Sequence, residues 1–167
     1  LGLYNETGEL AQFTLDKSIL LASDNPLSVE KYYDLFDYNI DRIQDDYNVI
    51  LLDPTEKVLH SQLNGARRYV SSTDISETVN NIIYDLKKRI ENPKGNYSKW
   101  IIVIPDIVSV FRSAGVLEQD FKLFVKEGGK YGITPVFIGY HQELIASYDS
   151  ITKLTKQVVE QVYIGMR

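Results

Sequence analysis

The sequence contains no cysteine and only two histidines, His60 and His141, among 167 residues. A zinc site of Cys and His ligands and a cysteine nucleophile are therefore excluded. The longest apolar run, Trp100 to Ile104, is strand-length, whereas a membrane-spanning helix needs about 20 apolar residues. The formal charge of −5 argues against a stand-alone nucleic-acid binder, whose affinity comes mostly from neutralised phosphates.

The composition is that of one globular domain. Hydrophobic residues make up 44% of the chain and charged residues 25%, and a chain of this length can bury a core without disulfides or a structural metal. Repeats and Pro/Gly/Ser linkers are absent, so residues 1–167 are interpreted as a single domain. Because the chain begins with Leu1 and no basic and apolar leader precedes the fold, we expect a fragment of a longer protein.

Strand-length apolar runs alternate with amphipathic helical patterns. The runs are almost continuously apolar, which is typical of strands covered on both faces of a parallel sheet; they cover 18–22, 48–52, 100–104, 135–140 and 158–164. Helices are predicted over about 28–43, 74–91, 116–126 and 151–159. This alternation predicts an α/β fold in which ligands bind beyond the carboxyl ends of the strands.

The turn after the first predicted strand stands where an α/β nucleotide-binding protein carries its phosphate loop. Such a loop needs glycines whose amides wrap the phosphates, a lysine for the β and γ charges, and a Ser or Thr for magnesium. This turn contains neither Gly nor Lys; its residues are Asp24, Asn25, Pro26, Leu27, Ser28, Val29 and Glu30. From residue 24 to residue 56 nine acidic residues face two basic ones, a net charge of −7 that would repel a nucleotide.

Three other strand ends carry candidate residues. Asp106 follows Pro105 after the strand 100–104 and is either a surviving catalytic position or the start of a turn. Asp53 follows the strand 48–52, which allows a receiver-like domain phosphorylated on this carboxylate. His141 is a candidate polar sensor or a strand-end residue with one hydrogen bond, and His60 is predicted on the surface in a short helical stretch.

A cluster of tyrosines surrounds the acidic first helix. Tyrosine is enriched among the anchoring residues of protein interfaces, so the cluster forms either a partner-binding face or ordinary packing along the sheet. Its members are Tyr32, Tyr33, Tyr38 and Tyr47.

The order of these signals along nearly the whole chain resembles the FtsK/SpoIIIE family of P-loop motors, and within it the degenerate ATPase-like domains of type VII secretion proteins. The matching pieces are residues 1–3, Asn48 to Thr55, Trp100 to Asp106 as the Walker B strand, and Lys130 to Ile133 before the strand ending at Tyr140. The resemblance implies a RecA-like P-loop fold, with a mostly parallel central sheet and helices on both faces.

Four catalytic functions of the family are missing at the matching positions. The turn 24–30 replaces the Walker A residues, and Pro105 replaces the first Walker B acid, which leaves Asp106 as the one weak catalytic candidate. Gly129 stands in place of an arginine finger, and Tyr140 with His141 stands at the sensor position. Because these groups supply most of the charge stabilisation in phosphoryl transfer, the resemblance argues against ATP turnover.

These departures lead to a hypothesis and two alternatives. We expect a non-hydrolysing or very weak ATPase-like module that recruits substrates and regulates neighbouring motor domains, with no metal and no cofactor; ATP and magnesium enter only if the altered loop still binds them. The resemblance implies a cytoplasmic domain of a bacterial cell-membrane protein, multimeric in its full-length form. Its implied partners are other ATPase domains and secreted WXG100-type or other effector proteins, with no nucleic acid. The alternatives are a weak Mg-ATP-dependent ATPase powering export and the receiver-like domain at Asp53.

Overall fold

A six-stranded parallel sheet forms the centre of the fold. The computed structural model describes residues 2–4 and 10–165, and the side chains of 13–38, 43 and 46–165. The strands run in the order β5-β4-β6-β7-β3-β8. They are β3 (Ile19–Ser23), β4 (Tyr47–Leu52), β5 (Arg67–Tyr69), β6 (Lys99–Ile104), β7 (Ile133–Tyr140) and β8 (Gln161–Gly165). A separate antiparallel pair consists of β1 (Gly2–Tyr4) and β2 (Leu10–Gln12).

Six α-helices connect these strands. They are α1 (Pro26–Asp46), α2 (Ser72–Glu91), α3 (Ile107–Ala114), α4 (Glu118–Glu127), α5 (His141–Leu144) and α6 (Ser150–Val158). A 3₁₀ turn over Gly129–Tyr131 leads from α4 into β7. No helix among residues 2–4 and 10–165 is long and apolar enough to cross a membrane.

The sheet has a hydrophobic layer on each face. Alternate residues of one strand enter opposite layers: Leu20 of β3 packs with α2, α3, α4 and α6, whereas Leu21 packs with α1. All five residues of β3 are buried, as are the last four of β6. This double coverage explains why the central strands are continuously apolar in the sequence, and it confirms the predicted parallel α/β sheet.

Sequence periodicity locates most elements but misplaces some boundaries. The strand predicted from Val158 begins at Gln161, because Val158 still belongs to α6. Helix α1 starts at Pro26, two residues before its predicted start, since Asn25 caps it and proline suits a first helical turn. The predicted helical stretch around His60 is wrong: the exposed His60 lies in a turn.

The strand order contradicts the receiver-like alternative. In a receiver-type sheet the first strand pairs with the second and third, in the order 2-1-3-4-5. Here β3, the first strand of the large sheet, pairs with β7 and β8, the last two. The carboxyl ends of β3, β4, β6 and β7 nevertheless meet at one edge, and this edge carries the predicted site residues.

Candidate functional site

The turn between β3 and α1 uses its own backbone donors. The amide of Asn25 donates to Ser23 Oγ at 3.1 Å, and the amide of Leu27 donates to Asn25 Oδ1 at 2.9 Å. The amides of Ser28 and Val29 both donate to the Asn25 carbonyl, at 3.0 and 3.2 Å. Pro26 has no N–H. From residue 25 to residue 29, every amide that a phosphate would need is therefore already hydrogen-bonded or absent.

The side chains of this turn divide between core and solvent. Val29 is buried in the hydrophobic layer between α1 and the sheet, so it takes no part in a surface site. Leu27, by contrast, is 70% exposed. Glu30 accepts a hydrogen bond from Gln62 Nε2, and the exposed Asp24 carboxylate lies 3.7 Å from His141 Nδ1.

Asp106 lies at the end of β6, as predicted, and begins the next helix. Its Oδ1 caps α3 by accepting from the Ser109 amide at 3.1 Å. Its Oδ2 accepts from Thr55 Oγ1 at 3.2 Å and lies 3.9 Å from Lys57 Nζ. Asp106 is thus both the start of a turn, one of the two roles left open by the sequence, and part of a side-chain cluster.

Lys57 joins two strand ends across the sheet edge. Its ammonium lies 2.8 Å from Glu143 Oε2, on α5 after β7, and also faces Asp106 after β6. Thr55 lies in a strand-end segment where ligands are expected, whereas Lys57 and Glu143 are not among the predicted site residues. Only the position of Thr55 and Lys57 directly after a predicted strand could have indicated them, and nothing in the sequence pairs Lys57 with Glu143.

The Asp53 carboxylate is fully buried and serves the loop after β4. It accepts from the amides of Lys57 at 2.8 Å and Val58 at 3.0 Å, and Arg68 Nη1 lies 3.4 Å away. Arg68 also donates to the carbonyls of Val58, Leu59 and Gln62. A carboxylate held in this way is not accessible to a phosphoryl donor, which is a second argument against the receiver-like alternative.

The pKa of Tyr33 is raised by its buried position near the acidic strand ends. Burial, and then the negative charges of Asp53, Glu30 and Glu143, raise the pKa of its phenol well above the ordinary value. The hydroxyl donates to the Ile138 carbonyl at 3.4 Å. Tyr33 therefore stays protonated and neutral in an acidic surrounding.

The four tyrosines of the predicted cluster around α1 differ in burial. Tyr32 and Tyr33 are buried in the layer under α1, so they pack as core residues. Tyr47 is half-buried, and only Tyr38 is widely exposed. Tyr32 and Tyr33 therefore pack along the sheet, and the four tyrosines do not form one continuous face.

The two remaining predicted positions lie at the edge of the site. Tyr140 is partly exposed at the end of β7, and His141 starts α5. Gly129 is buried, and a Cβ added there would collide with the backbone of Asp16 and Lys17, so this position accepts no arginine. Among the described side chains, which are those of 13–38, 43 and 46–165, no three His, Asp or Glu residues come together as a metal site.

The chain is similar over its whole length to type VII secretion proteins. It is 25% identical over 168 residues to the type VII secretion system protein EssC of Staphylococcus aureus strain NCTC 8325. The same protein of strain MRSA252 is 22% identical over 165 residues. The chain spans 11% of the length of these relatives, and a comparison with protein-family models finds no match.

Solved structures of EssC-type and related ATPases share the fold. One is EccC of Thermomonospora curvata (ATPases 2 and 3) in complex with a signal sequence peptide. The superposition covers 98% of this chain and 32% of the EccC chain, with a TM-score of 0.66 and 14% sequence identity. Another is the pCW3 conjugation coupling protein TcpA with ATPγS. This superposition covers 95% of this chain and 52% of the TcpA chain, with a TM-score of 0.66 and 12% sequence identity. The RecA-like P-loop fold implied by the resemblance is thereby confirmed.

Two of the solved structures contain more than one ATPase domain. The EssC structure from Geobacillus thermodenitrificans comprises ATPases 2 and 3 and shows a TM-score of 0.63 over 96% of this chain, at 13% identity and 32% coverage of that structure. A second EccC structure is described as a cytoplasmic domain. The chain thus shares its fold with proteins that contain more than one ATPase domain.

Proposed function

We propose that this chain is an ATPase-like module of a type VII secretion protein that does not hydrolyse ATP and acts through protein recruitment and regulation. The observation that carries this proposal is the closed turn after β3. Its amides donate to Ser23 and Asn25, and without a lysine or glycine in residues 24–30 nothing replaces them as phosphate donors.

The state of Asp106 supports the same proposal. In a P-loop ATPase the acid at this strand end serves the metal and the attacking water. Here its two oxygens accept from Ser109 and Thr55, and Lys57 provides a positive charge nearby. The residues at these positions do not fit a magnesium nucleotide, so we assign no step of the module's work to one.

The surface at the strand ends favours protein partners. Four large apolar side chains are exposed at or beside this edge, and exposed apolar groups mark protein contact sites when they gather on one side. They are Leu27 after β3, Leu59 after β4, Tyr140 after β7, and Tyr148 before α6. We assign this edge to contacts with other ATPase domains and with secreted effector proteins, including the WXG100 type.

The relatives support this choice of partners. One EccC structure holds a signal sequence peptide, and the EssC and EccC structures contain consecutive ATPase domains. We also propose that the full-length protein is attached to the membrane through another part of its chain and assembles into a multimer.

The first test is a calorimetric titration of the protein with ATP and magnesium at low salt. We expect no saturable heat at millimolar ATP, with ATP and EDTA as the matched control. Binding tighter than about 100 μM, roughly −5.5 kcal/mol, would contradict the proposal and favour the weak-ATPase alternative. In that case Asp106→Asn should abolish the magnesium-dependent part of the heat.

A second test addresses recruitment. Leu27→Ser removes a side chain that is 70% exposed at the strand ends, and Tyr84→Ser removes one that is 65% exposed on α2, at a different place in the fold. The readout is binding to an ATPase domain of the same organism's EssC-type protein, together with that domain's ATP hydrolysis. We expect weaker binding for Leu27→Ser only; equal behaviour of the two variants would count against the assigned surface.

A further inference from the structure

The turn that leads into β5 contains the one Asn-Gly step of the chain. Nine asparagines occur in the sequence, and only Asn64 is followed by glycine. The Ala66 amide donates to the Leu63 carbonyl at 3.0 Å, so Asn64 and Gly65 are the two central residues of a β-turn. Both residues are exposed, and water therefore reaches this step of the backbone.

An asparagine followed by glycine is a chemically reactive pair. The backbone nitrogen of the second residue attacks the side-chain carbonyl carbon of the first and closes a ring. Glycine carries no Cβ beside this nitrogen, so it hinders the attack less than any other residue. The reaction also consumes water, which an exposed turn supplies and a packed element does not.

The hydrogen bond that holds the Asn64 side chain is local and exposed. Its Nδ2 donates to the Ser61 carbonyl at 3.2 Å. The bond engages the nitrogen that would leave as ammonia, and not the carbonyl group that is attacked. In Asn25, by contrast, the side-chain carbonyl oxygen is itself engaged, since it accepts from the Leu27 amide at 2.9 Å.

The other asparagines lack this combination. Every one of them is followed by a residue with a side chain. Asn25 and Asn92 precede prolines, whose nitrogen has no hydrogen to lose. The remaining described ones lie in β4, in α2 or before a tyrosine; they are Asn48, Asn80, Asn81 and Asn96.

We propose that Asn64 is a site of spontaneous deamidation, which converts it through a succinimide into aspartate and into β-linked isoaspartate. The modification site lies in the loop between β4 and β5. It requires neither a nucleotide nor a partner protein, so it goes beyond the proposed function and does not depend on it.

The reaction balances with water as the only co-reactant. The Gly65 nitrogen loses its proton to hydroxide and bonds to the Asn64 side-chain carbonyl carbon. The bond from that carbon to the amide nitrogen breaks, and ammonia leaves with a proton taken from water. Water then opens the succinimide: cleavage at the side-chain carbonyl gives aspartate, and cleavage at the main-chain carbonyl gives isoaspartate. No group is oxidised or reduced.

The products change the charge and the hydrogen bonding of the loop. A carboxylate cannot donate to the Ser61 carbonyl, so the bond made by Asn64 is lost and one negative charge is gained. The isoaspartate form also lengthens the main chain by a methylene. Arg68 holds the carbonyls of Leu59 and Gln62, so the added methylene lies in a segment that is fixed at both ends.

The test incubates the folded protein at mildly alkaline pH and follows the tryptic peptide 58–67 by mass spectrometry. We expect this peptide to gain the mass of an amide-to-acid exchange before any other asparagine reacts, with fragment ions that place the change on Asn64 and not on Gln62. A protein-isoaspartyl methyltransferase with labelled S-adenosylmethionine should label the aged protein and not the fresh one. Conversion should rise with pH, because the attacking amide must lose its proton.

Protein unfolded in guanidinium chloride at the same pH is the reference for the reactivity of the bare sequence. If Asn64 reacts in the unfolded protein but stays intact in the folded one over the same time, the turn protects it and the proposal is wrong. An earlier reaction at another asparagine of the folded protein would overturn it as well.

Substitutions at the two residues test the route. The φ of Gly65 is not positive, unlike that of Gly115 and Gly132, so a side chain suits its backbone. Conversion over the same incubation should fall in Gly65→Ala and fall further in Gly65→Val, whose branched side chain shields the nitrogen. Asn64→Gln should lose the modification, and Asn96→Gln, the matched control, should keep it. Equal conversion in Gly65→Val would rule out the succinimide.

Discussion

The strand ends contain two regions that satisfy their polar groups in different ways. The turn after β3 is closed locally: within residues 23–29, Asn25 and Ser23 accept the available amides. The ends of β4, β6 and β7 are closed across the sheet, where Thr55 bonds to Asp106 and Lys57 pairs with Glu143. Local closure leaves no free amide for a phosphate within residues 25–29, whereas closure between strands joins side chains that lie far apart in the chain.

The difference is one of range along the chain. A local cap on a helix start uses the amides that a phosphate would need, and it requires no change of topology. Side chains that meet between strands build a new surface from residues far apart in the chain. The following predictions test this division, from the largest expected effect to the smallest.

Asp53→Ala should have the largest effect, because it breaks the buried contact between strands. The variant removes the acceptor of two amides and leaves Arg68 without its carboxylate. We expect a loss of about 3–5 kcal/mol in the free energy of unfolding, measured by urea denaturation. Asp24→Ala, which removes an exposed carboxylate from the local turn, is the control and should leave the midpoint unchanged.

Asn25→Ala tests the local closure itself. The variant removes the side-chain acceptor of the Leu27 amide, which typically costs about 1 kcal/mol of stability. Asn25→Asp keeps an acceptor and should restore the stability in the same thermal-denaturation assay. A loss as large as that of Asp53→Ala would break the distinction between the two regions.

Lys57→Met should have a small effect on stability. Lys57 and Glu143 are both substantially exposed, and solvent-screened pairs of this kind contribute between zero and about 1 kcal/mol. We expect the midpoint of unfolding to fall slightly at low salt and the difference to vanish at about 1 M salt, where screening is nearly complete. A salt-independent loss would mean that the Lys57 stem, and not its charge, holds the edge together.

Of the four variants, Tyr33→Phe should change the free energy of unfolding least at neutral pH. Its effect should grow in alkaline solution. The raised pKa of Tyr33 means that the folded state holds its proton more tightly than the unfolded state. Its stabilising effect is therefore complete below about pH 10, the ordinary tyrosine value, and is lost as the pH rises beyond it.

The pKa of Tyr32 is raised as well, so Tyr32 also contributes to the alkaline loss of stability and remains in the Tyr33→Phe variant. Burial, and then Tyr163, raise its pKa to about 12. Tyr33→Phe should flatten part of the decline in stability between pH 10 and 12, as measured by urea denaturation at a series of pH values. An unchanged alkaline decline would show that Tyr33 does not titrate with unfolding.

Sequence patterns predicted the long elements and missed the short ones. The apolar runs located five strands of the large sheet. Four of them, β3, β4, β6 and β7, lie inside the sheet and are covered on both faces, whereas β8 is an edge strand whose Val162 and Ile164 are exposed. The edge strand Arg67–Tyr69 has three polar or aromatic residues and no apolar run. Helix α3 escaped prediction because it has eight residues and follows an apolar strand directly, separated from it only by Pro105 and Asp106. The extent of the domain in the full-length protein stays a prediction.

The sequence by itself determined the parallel α/β fold, the lack of phosphate-loop residues after the first predicted strand, and the candidate Asp106. These follow from periodicity, from the absence of glycine and lysine in residues 24–30, and from one acid at a strand end. The tertiary structure decided that the amides of this turn are hydrogen-bonded, that Asp53 is buried, and that Lys57 meets Asp106 and Glu143 at one edge. Spacing along a chain specifies local hydrogen bonds and faces, but only the strand order brings the ends of β4, β6 and β7 together.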